Sequence, residues 1–394
     1  MKDIVKELSL KIKDKLIRIR RHLHAHPELS FQESETSAFI KKILDEAKIP
    51  WSGGWAGHGI VVQLEGGKTG DGNVIALRAD MDALPIQEEN SVDYKSIHPG
   101  VMHACGHDVH TTCLIGALLI LHSIKDQWSG KVKAIFQPGE EKLPGGASMM
   151  IKEGVLKNPT PNLMIAQHVH PSLEVGKVGI RYGNYMASAD EIYITVKGKG
   201  GHGGLPHLCL DPVVVTAGII EALQSIVSRN SDPTIPTVLT FGKIYSKGGA
   251  TNIIPDEVCL EGTFRTMDEN WRRRAHSLIK ERVNCIAKSM GTSAEINIRV
   301  GYPTLYNDLK LSQKVQSIMI EYLGEQNVEE LPVRMTAEDF AFYSLELPAC
   351  FYRLGTGNRS KNITSPVHTS TFDIDEDALE VGSGLMAYLA LKCL

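Results

Sequence analysis

The chain has 394 residues, 42% hydrophobic and 22% charged, which is enough for two or three ordinary globular domains. A net charge of -4 gives no general attraction for nucleic acid or anionic membrane, so neither is expected as a partner. Seven scattered cysteines do not make a disulfide framework, and the charge-rich start lacks the apolar core of a signal peptide, so a reduced, cytoplasmic protein is expected.

Ile4, Leu8, Ile12, Leu16, Ile19 and Leu23 recur at helical spacing and predict an amphipathic helix. Pro27 interrupts it, and "ESETSAFIKKILDEA" predicts a second helix. "GIVVQLEG" (59–66), "NVIALRAD" (73–80), "KVKAIFQP" (131–138) and "NLMIAQHV" (162–169) are nearly continuous apolar runs, as strands covered on both faces require. "TTCLIGALLILHSI" (111–124) reads as a helix between them. Its apolar stretch, around Cys113 to Leu121, is far short of the ~20 residues that span a bilayer. Strands alternating with helices predict a layered α/β domain.

Residues 187–303 change pattern. Strand, helix, two strands, helix and strand follow in order, from "DEIYITVKG" to "AEINIRVGY", which is the ferredoxin-like βαββαβ arrangement. It reads as an insertion, because α/β character resumes with a helix near 311–323, the strand "CFYRLGTG" (350–357) and a final helix after 375–377. The one dense basic run, Arg272-Arg273-Arg274, is read as a solvated helix face.

Ligands of open α/β sheets bind beyond the carboxyl ends of the strands. The strand ending at 80 delivers Asp80 and Asp82; the one stopped by Pro138-Gly139 delivers Glu140 and Glu141; the one ending near 168 delivers His168. Between the first two lies "HACGHD", with Cys105 and His107 on either side of Gly106. Thiolate, imidazole and carboxylate converging on one edge favour a transition metal, or two close together, over calcium or magnesium. His103 and His110 read as supporting residues, since neither brings a partner of its own. In a loop past a Pro-Gly stop, Glu140 and Glu141 can split duties, one binding metal and the other moving a proton.

"GKGGHGGLPH" contains GxGxxG at Gly198, Gly200 and Gly203, with Glu221 about 20 residues on. A pyrophosphate site needs a helix opening at the third glycine, and Leu205-Pro206-His207 intervene. The dinucleotide reading is weak, and His202 at the loop tip is left unexplained. Arg265 and Asn252 can hold a carboxylate, or equally be a solvated edge arginine and a turn asparagine.

Taken together, "RRHLHAHPELSFQE", "ALRADMDALPI", "MHACGHDVHT", "FQPGEE", "QHVHP", "GKGGHGGLPH", "NIIPDEVCLEGTFR", "TAEDFAFY" and "VHTSTFDIDE" resemble the metal-dependent aminoacylase/carboxypeptidase amidohydrolases. The similar branch is that of hippurate hydrolase, N-acyl-amino-acid amidohydrolase and auxin-conjugate hydrolases. The resemblance implies catalytic segments at 1–186 and 304–394, with 187–303 as an inserted lid that dimerises. It implies two divalent transition-metal ions (zinc, manganese, nickel or cobalt) on Cys105, His107, Glu141, His168 and His368. Glu140 is then the general acid/base, His202 a lid group near the reacting carbonyl, often supplied in trans, and Asn252 and Arg265 the substrate-carboxylate holders. Asp80 and Asp82 support the ligands. The implied substrate is an N-acyl amino acid, with a peptide substrate of a metallocarboxypeptidase or dipeptidase as the alternative and a non-catalytic metal-binding dimer as the reading from another class. "HGG", "HVHP" and "GEEKLPGG" depart from the commoner family pattern; these positions bear on the acyl pocket and leave the ligand set intact.

Overall fold

The computed structural model describes residues 1–70 and 72–394. Helices α1 (Lys2–Ala25) and α2 (Ser34–Glu46) lead into β1 (Trp51–Trp55), β2 (Gly59–Glu65), β3 (Val74–Asp80) and α3 (His107–Ser123). Next come β4 (Lys131–Gln137), α4 (Gly146–Lys152), β5 (Leu163–Glu174) and β6 (Val178–Ile180). The middle of the chain forms β7 (Asp190–Lys197), α5 (Pro212–Arg229), β8 (Thr237–Lys247), β9 (Glu257–Thr266), α6 (Glu269–Ser289) and β10 (Ser293–Val300). Then follow α7 (Leu309–Leu323), β11 (Val328–Glu330), α8 (Ala341–Glu346), β12 (Ala349–Gly357) and α9 (Asp377–Cys393).

Two compact units result. The first comprises Met1–Gly183, Tyr306–Pro332 and Asp339–Leu394; the second comprises Asn184–Leu305 and Val333–Glu338. No motif in 304–394 signalled that short return of Val333–Glu338 to the second unit.

The first unit is built on an eight-stranded sheet in the order β1-β2-β4-β3-β5-β12-β6-β11. Its centre, β4-β3-β5-β12, is parallel, while β1, β2 and the β12–β6 pair are antiparallel. Every residue of β3 is buried, which is why its sequence shows no alternation. Helices α3 and α9 pack on β3, α1 packs across both, and α2 and α4 lie against β2 and β4. From β3 the chain crosses to β4 on one side and then from β4 back to β5 on the other. That reversal opens a crevice at the carboxyl ends of these strands. In register, Arg78 is level with Ala166 and Asp80 with Gln137, so the polar residues past β3, β4 and β5 emerge together.

The second unit is a four-stranded antiparallel sheet, β8-β9-β7-β10, with two helices: the ferredoxin-like order. Residues of β7 alternate between buried and half-buried, as one-sided cover predicts. Ile192, Ile194 and Val196 meet Val215, Ile219 and Leu223 of α5 and Ile279 of α6 in its core. By length and composition α5 could cross a bilayer, yet here that apolar stripe lies on the sheet. Asp211 and Asp268 cap α5 and α6 by accepting from Val213 and Trp271 N–H, each cap contributing about 1 kcal/mol. One expectation is corrected: Arg272 is no solvated residue. It is buried, with Nε and Nη2 donating to the two Asp190 oxygens at 2.9 and 2.5 Å; Arg273 and Arg274 do face solvent.

Candidate metal centre

Gly106 adopts φ +81° before the first turn of α3, and a Cβ there would meet Val169 Cγ2 at 2.5 Å. Only glycine fits this left-handed turn against β5, and the turn brings Cys105 and His107 to one spot. The donor atoms of Cys105, His107 and His168 lie within 4.8 Å of one another, as do those of Cys105, Glu141 and His368, and those of His107, Glu140 and Glu141. Cys105 Sγ is 3.4 Å from His168 Nε2 and 3.3 Å from His368 Nε2, and His368 Nε2 is 3.3 Å from Glu141 Oε1. All five candidate ligands and Glu140 thus gather in the first unit. His368 arrives with φ 63°, a left-handed conformation costly for a non-glycine residue, tied down by its N–H donating to Ala104 O at 2.7 Å.

The electrostatics ask for positive charge. Burial, then the carboxylates of Glu141, Glu140 and Asp80, push the Cys105 thiol well above its usual range. Burial opposes a charged His107, but Asp80 and Asp82 outweigh it and lift the imidazole to about 10. His107 Nδ1 donates to Asp82 Oδ1 at 3.1 Å. Its Nε2 is buried without a hydrogen-bond partner, 3.7 Å from Asp80 Oδ2 and 3.9 Å from oxygens of Glu140 and Glu141. An orphaned buried nitrogen costs about 1–3 kcal/mol unless something takes it. That nitrogen, with sulfur and carboxylate beside it, is a donor set that suits a divalent transition-metal cation.

Behind these donors stands a second set. Asp82 Oδ2 accepts from Ser30 Oγ at 2.6 Å and from the N–H of Glu141 at 2.9 Å. Asp80 takes the Arg78 guanidinium at 2.7 Å and His110 Nδ1 at 2.6 Å. His110 Nε2 accepts from Val169 N–H at 2.8 Å, beside the candidate ligand His168. His110 thus stands behind the donors as a supporting residue, and with both nitrogens engaged it is held neutral. Burial is the first cause of its lowered pKa. His103 is buried with neither ring nitrogen bonded. Asp108, in the first turn of α3, accepts from Arg20 and His24 of α1 at 2.8 Å each, so α1 anchors the helix that carries His107.

Sequence reasoning missed Asp339. It accepts from Arg78 at 2.7 Å, from Gln137 and from Ala147 N–H, while its own N–H reaches Glu140 Oε1 at 3.4 Å. Its only signal was an acidic pair inside "TAEDFAFY".

His202, Asn252 and Arg265 belong to the second unit. His202 and Asn252 come together where Gly201–His202 bridges Ile253–Ile254: Gly203 N–H donates to Asn252 O at 2.7 Å. His202 is exposed, its Nδ1 accepting from Gly204 N–H at 2.9 Å, which leaves Nε2 free to act. Arg265 is half-buried and donates to Met335 O at 3.0 Å, so the structure does not join it to that pair. The glycine loop meets a short 3-10 turn at Pro206–Leu208, and the next helix starts at Pro212.

Sulfur, imidazole and carboxylate around one spot, buried at Cys105, His107 and His168 and open to solvent at His368, with a spare carboxylate alongside, define a metal-dependent hydrolase. The sequence pattern of peptidase family M20/M25/M40 matches residues 76–392, and the chain belongs to that family. It is a metal-dependent hydrolase of amide bonds. It is 41% identical to an N-acyl-L-amino acid amidohydrolase of Geobacillus stearothermophilus, over 78% of this chain and 81% of that protein. It is 38% identical to thermostable carboxypeptidase 2 of Saccharolobus solfataricus, over 99% of each. Among solved structures, it matches the Bacillus subtilis YXEP protein, described as a dinuclear metal binding peptidase from the M20 family, with TM-score 0.83, 33% identity and coverage of 98% of this chain and 99% of that one.

Proposed function

We propose that this chain hydrolyses N-acyl amino acids to a carboxylic acid and a free amino acid, using two divalent transition-metal ions. The observation that carries the reading is the meeting of Cys105, His107, Glu141, His168 and His368 donors in overlapping groups that share Cys105, His107 and Glu141, with Glu140 buried beside them. Bound metal supplies Lewis acidity, polarising the amide carbonyl and lowering the pKa of water. Glu140 Oε2 then takes the proton of the attacking water and returns it to the departing nitrogen. Its Oε1, steadied by Asp339 N–H, keeps the carboxylate aimed. In this reading His202 Nε2 stabilises the oxyanion, and Asn252 and Arg265 hold the substrate carboxylate. The relatives named N-acyl-L-amino acid amidohydrolase and N-acetyl-L-cysteine deacetylase support this substrate class.

A homodimer through the second unit belongs to the same proposal. Strand β8 is an open sheet edge with Ile244 and Tyr245 exposed. Beside it lies a groove of about 300 Å³ lined by Ile220, Leu239, Phe241 and Leu260. A second reading, peptide hydrolysis at the same centre, is favoured by the full-length match to a carboxypeptidase.

The test is a panel of acetyl- and benzoyl-amino acids against dipeptides, with enzyme reconstituted separately with zinc, manganese, nickel and cobalt. Acyl-amino acids should turn over faster; faster cleavage of dipeptides would replace the first reading by the second. Glu140→Gln should bind metal and lose turnover, a loss of about 10²–10⁴-fold for a general base.

A further inference from the structure

Glu33 is fully buried and sits at the N-cap of α2, yet its side chain makes no capping bond. That task falls to Glu28, which accepts from the N–H groups of Glu35 and Thr36 at 3.1 and 2.8 Å. Glu33 reaches elsewhere. Its Oε1 accepts from Gly139 N–H at 2.8 Å and from Phe31 N–H at 3.0 Å, while Oε2 is buried without a partner. Gly139 has φ +63°, and a Cβ on it would strike the Phe31 ring at 2.4 Å. Phe31 itself has φ 65°. Two left-handed residues thus face each other with their amides on one carboxylate oxygen. Burial and the nearby Asp82 charge push this carboxyl up to about 7, so an acid here is held at a cost that helix capping does not explain.

On the other side of Glu140, the N–H of Glu141 is held by Asp82. Glu140 therefore rides on a turn pinned on both flanks, by Glu33 at Gly139 and by Asp82 at Glu141. We infer that Glu33 is a positioning residue for the reaction: its bond to Gly139 N–H fixes the 138–141 turn and so the aim of the Glu140 carboxylate. This rests on the reading of Glu140 as the base. Misplacing a catalytic group by about 1 Å can cost 10²-fold in rate; Gly146 N–H ties the Gly139 carbonyl at 3.1 Å, and the Gly139 N–H on the other side of that residue is held by Glu33.

The test compares Glu33→Ala, Glu33→Asp, Glu33→Gln and Glu140→Gln as metal-loaded full chains on the best N-acyl amino acid. It reads kcat, KM, metal content and amide exchange at Gly139. Glu33→Ala should lower kcat about 10²-fold with KM and metal content unchanged, and Gly139 should lose exchange protection. Glu33→Gln, which keeps an acceptor oxygen, should recover most of the lost kcat. Glu33→Asp is one methylene too short and should lower kcat with KM held, which carries the test if the alanine variant fails to fold. Parental kcat in Glu33→Ala or Glu33→Asp, no recovery in Glu33→Gln, or metal content falling in step with activity would overturn the inference. Full turnover by Glu140→Gln would remove the base assignment and the positioning role with it. An inactive Glu140→Gln beside a fully active Glu33→Ala removes the positioning role alone.

Discussion

Asp82 shows how one carboxylate decides what a neighbouring imidazole can do. Taking the proton of His107 Nδ1 into a hydrogen bond at 3.1 Å leaves Nε2 bare towards the proposed metals, the arrangement in which such partners fix tautomer and ring orientation. Asparagine is nearly the same shape but has one acceptor. Turned towards His107, its oxygen leaves Ser30 Oγ–H and Glu141 N–H facing an amide donor. Turned the other way, it offers a donor to Nδ1 and drives the proton onto Nε2. Asp82→Asn should therefore weaken metal binding 10- to 100-fold by chelator competition; affinity within a factor of about two would mean the tautomer is set by something else. Cys105, His107 and the Glu140-Glu141 pair were legible in the sequence because each stood next to a glycine or a strand stop. His110 was legible as a supporting residue but its partners were not, and Asp339 and Glu33 were not legible at all, since the partners of all three include the backbone amides of Val169, Ala147 and Gly139, and a remote peptide N–H leaves no mark in a residue pattern.

At the scale of elements, strand and helix positions followed from periodicity wherever burial was one-sided or complete, as in β3, β7 and α6. β1, "WSGGW", escaped because its three middle residues are exposed and glycine carries no hydropathy signal. Arg272 was misread for the opposite reason: three adjacent arginines look like one solvated patch, but successive helix positions turn by about 100°, so one of them points inward to Asp190. The edge strand β8 carries a prediction. Along Tyr245–Lys247 it is exposed and, among the described residues, pairs only with β9, the kind of open edge that otherwise invites association. If a second copy covers it, Ile244→Lys should shift the molecular mass by light scattering from dimer to monomer while far-ultraviolet dichroism stays unchanged. A parental chain that is already monomeric, or a variant that remains dimeric, would exclude this edge as the interface.

At the scale of the whole molecule, the proposed ligands are divided between two stretches of chain. Cys105, His107, Glu141 and His168 lie in Met1–Gly183, and His368 lies in Asp339–Leu394, both within the first unit. Metal bound there cross-links the two stretches that the insertion separates, and it stabilises the folded state by mass action. At a hundredfold excess over Kd the gain is about 2.7 kcal/mol per site, a shift of several degrees in the unfolding temperature. Chelation should therefore lower the thermal transition and speed amide exchange in β3, β4, β5 and β12, while β7 and β9, whose core is built from α5 and α6, keep their protection. Cys105→Ala should start from the lowered transition and respond little to chelator. Equal loss of protection in β7 and β9, or a transition that chelation leaves in place, would show that the cation does not fasten the first unit in this way.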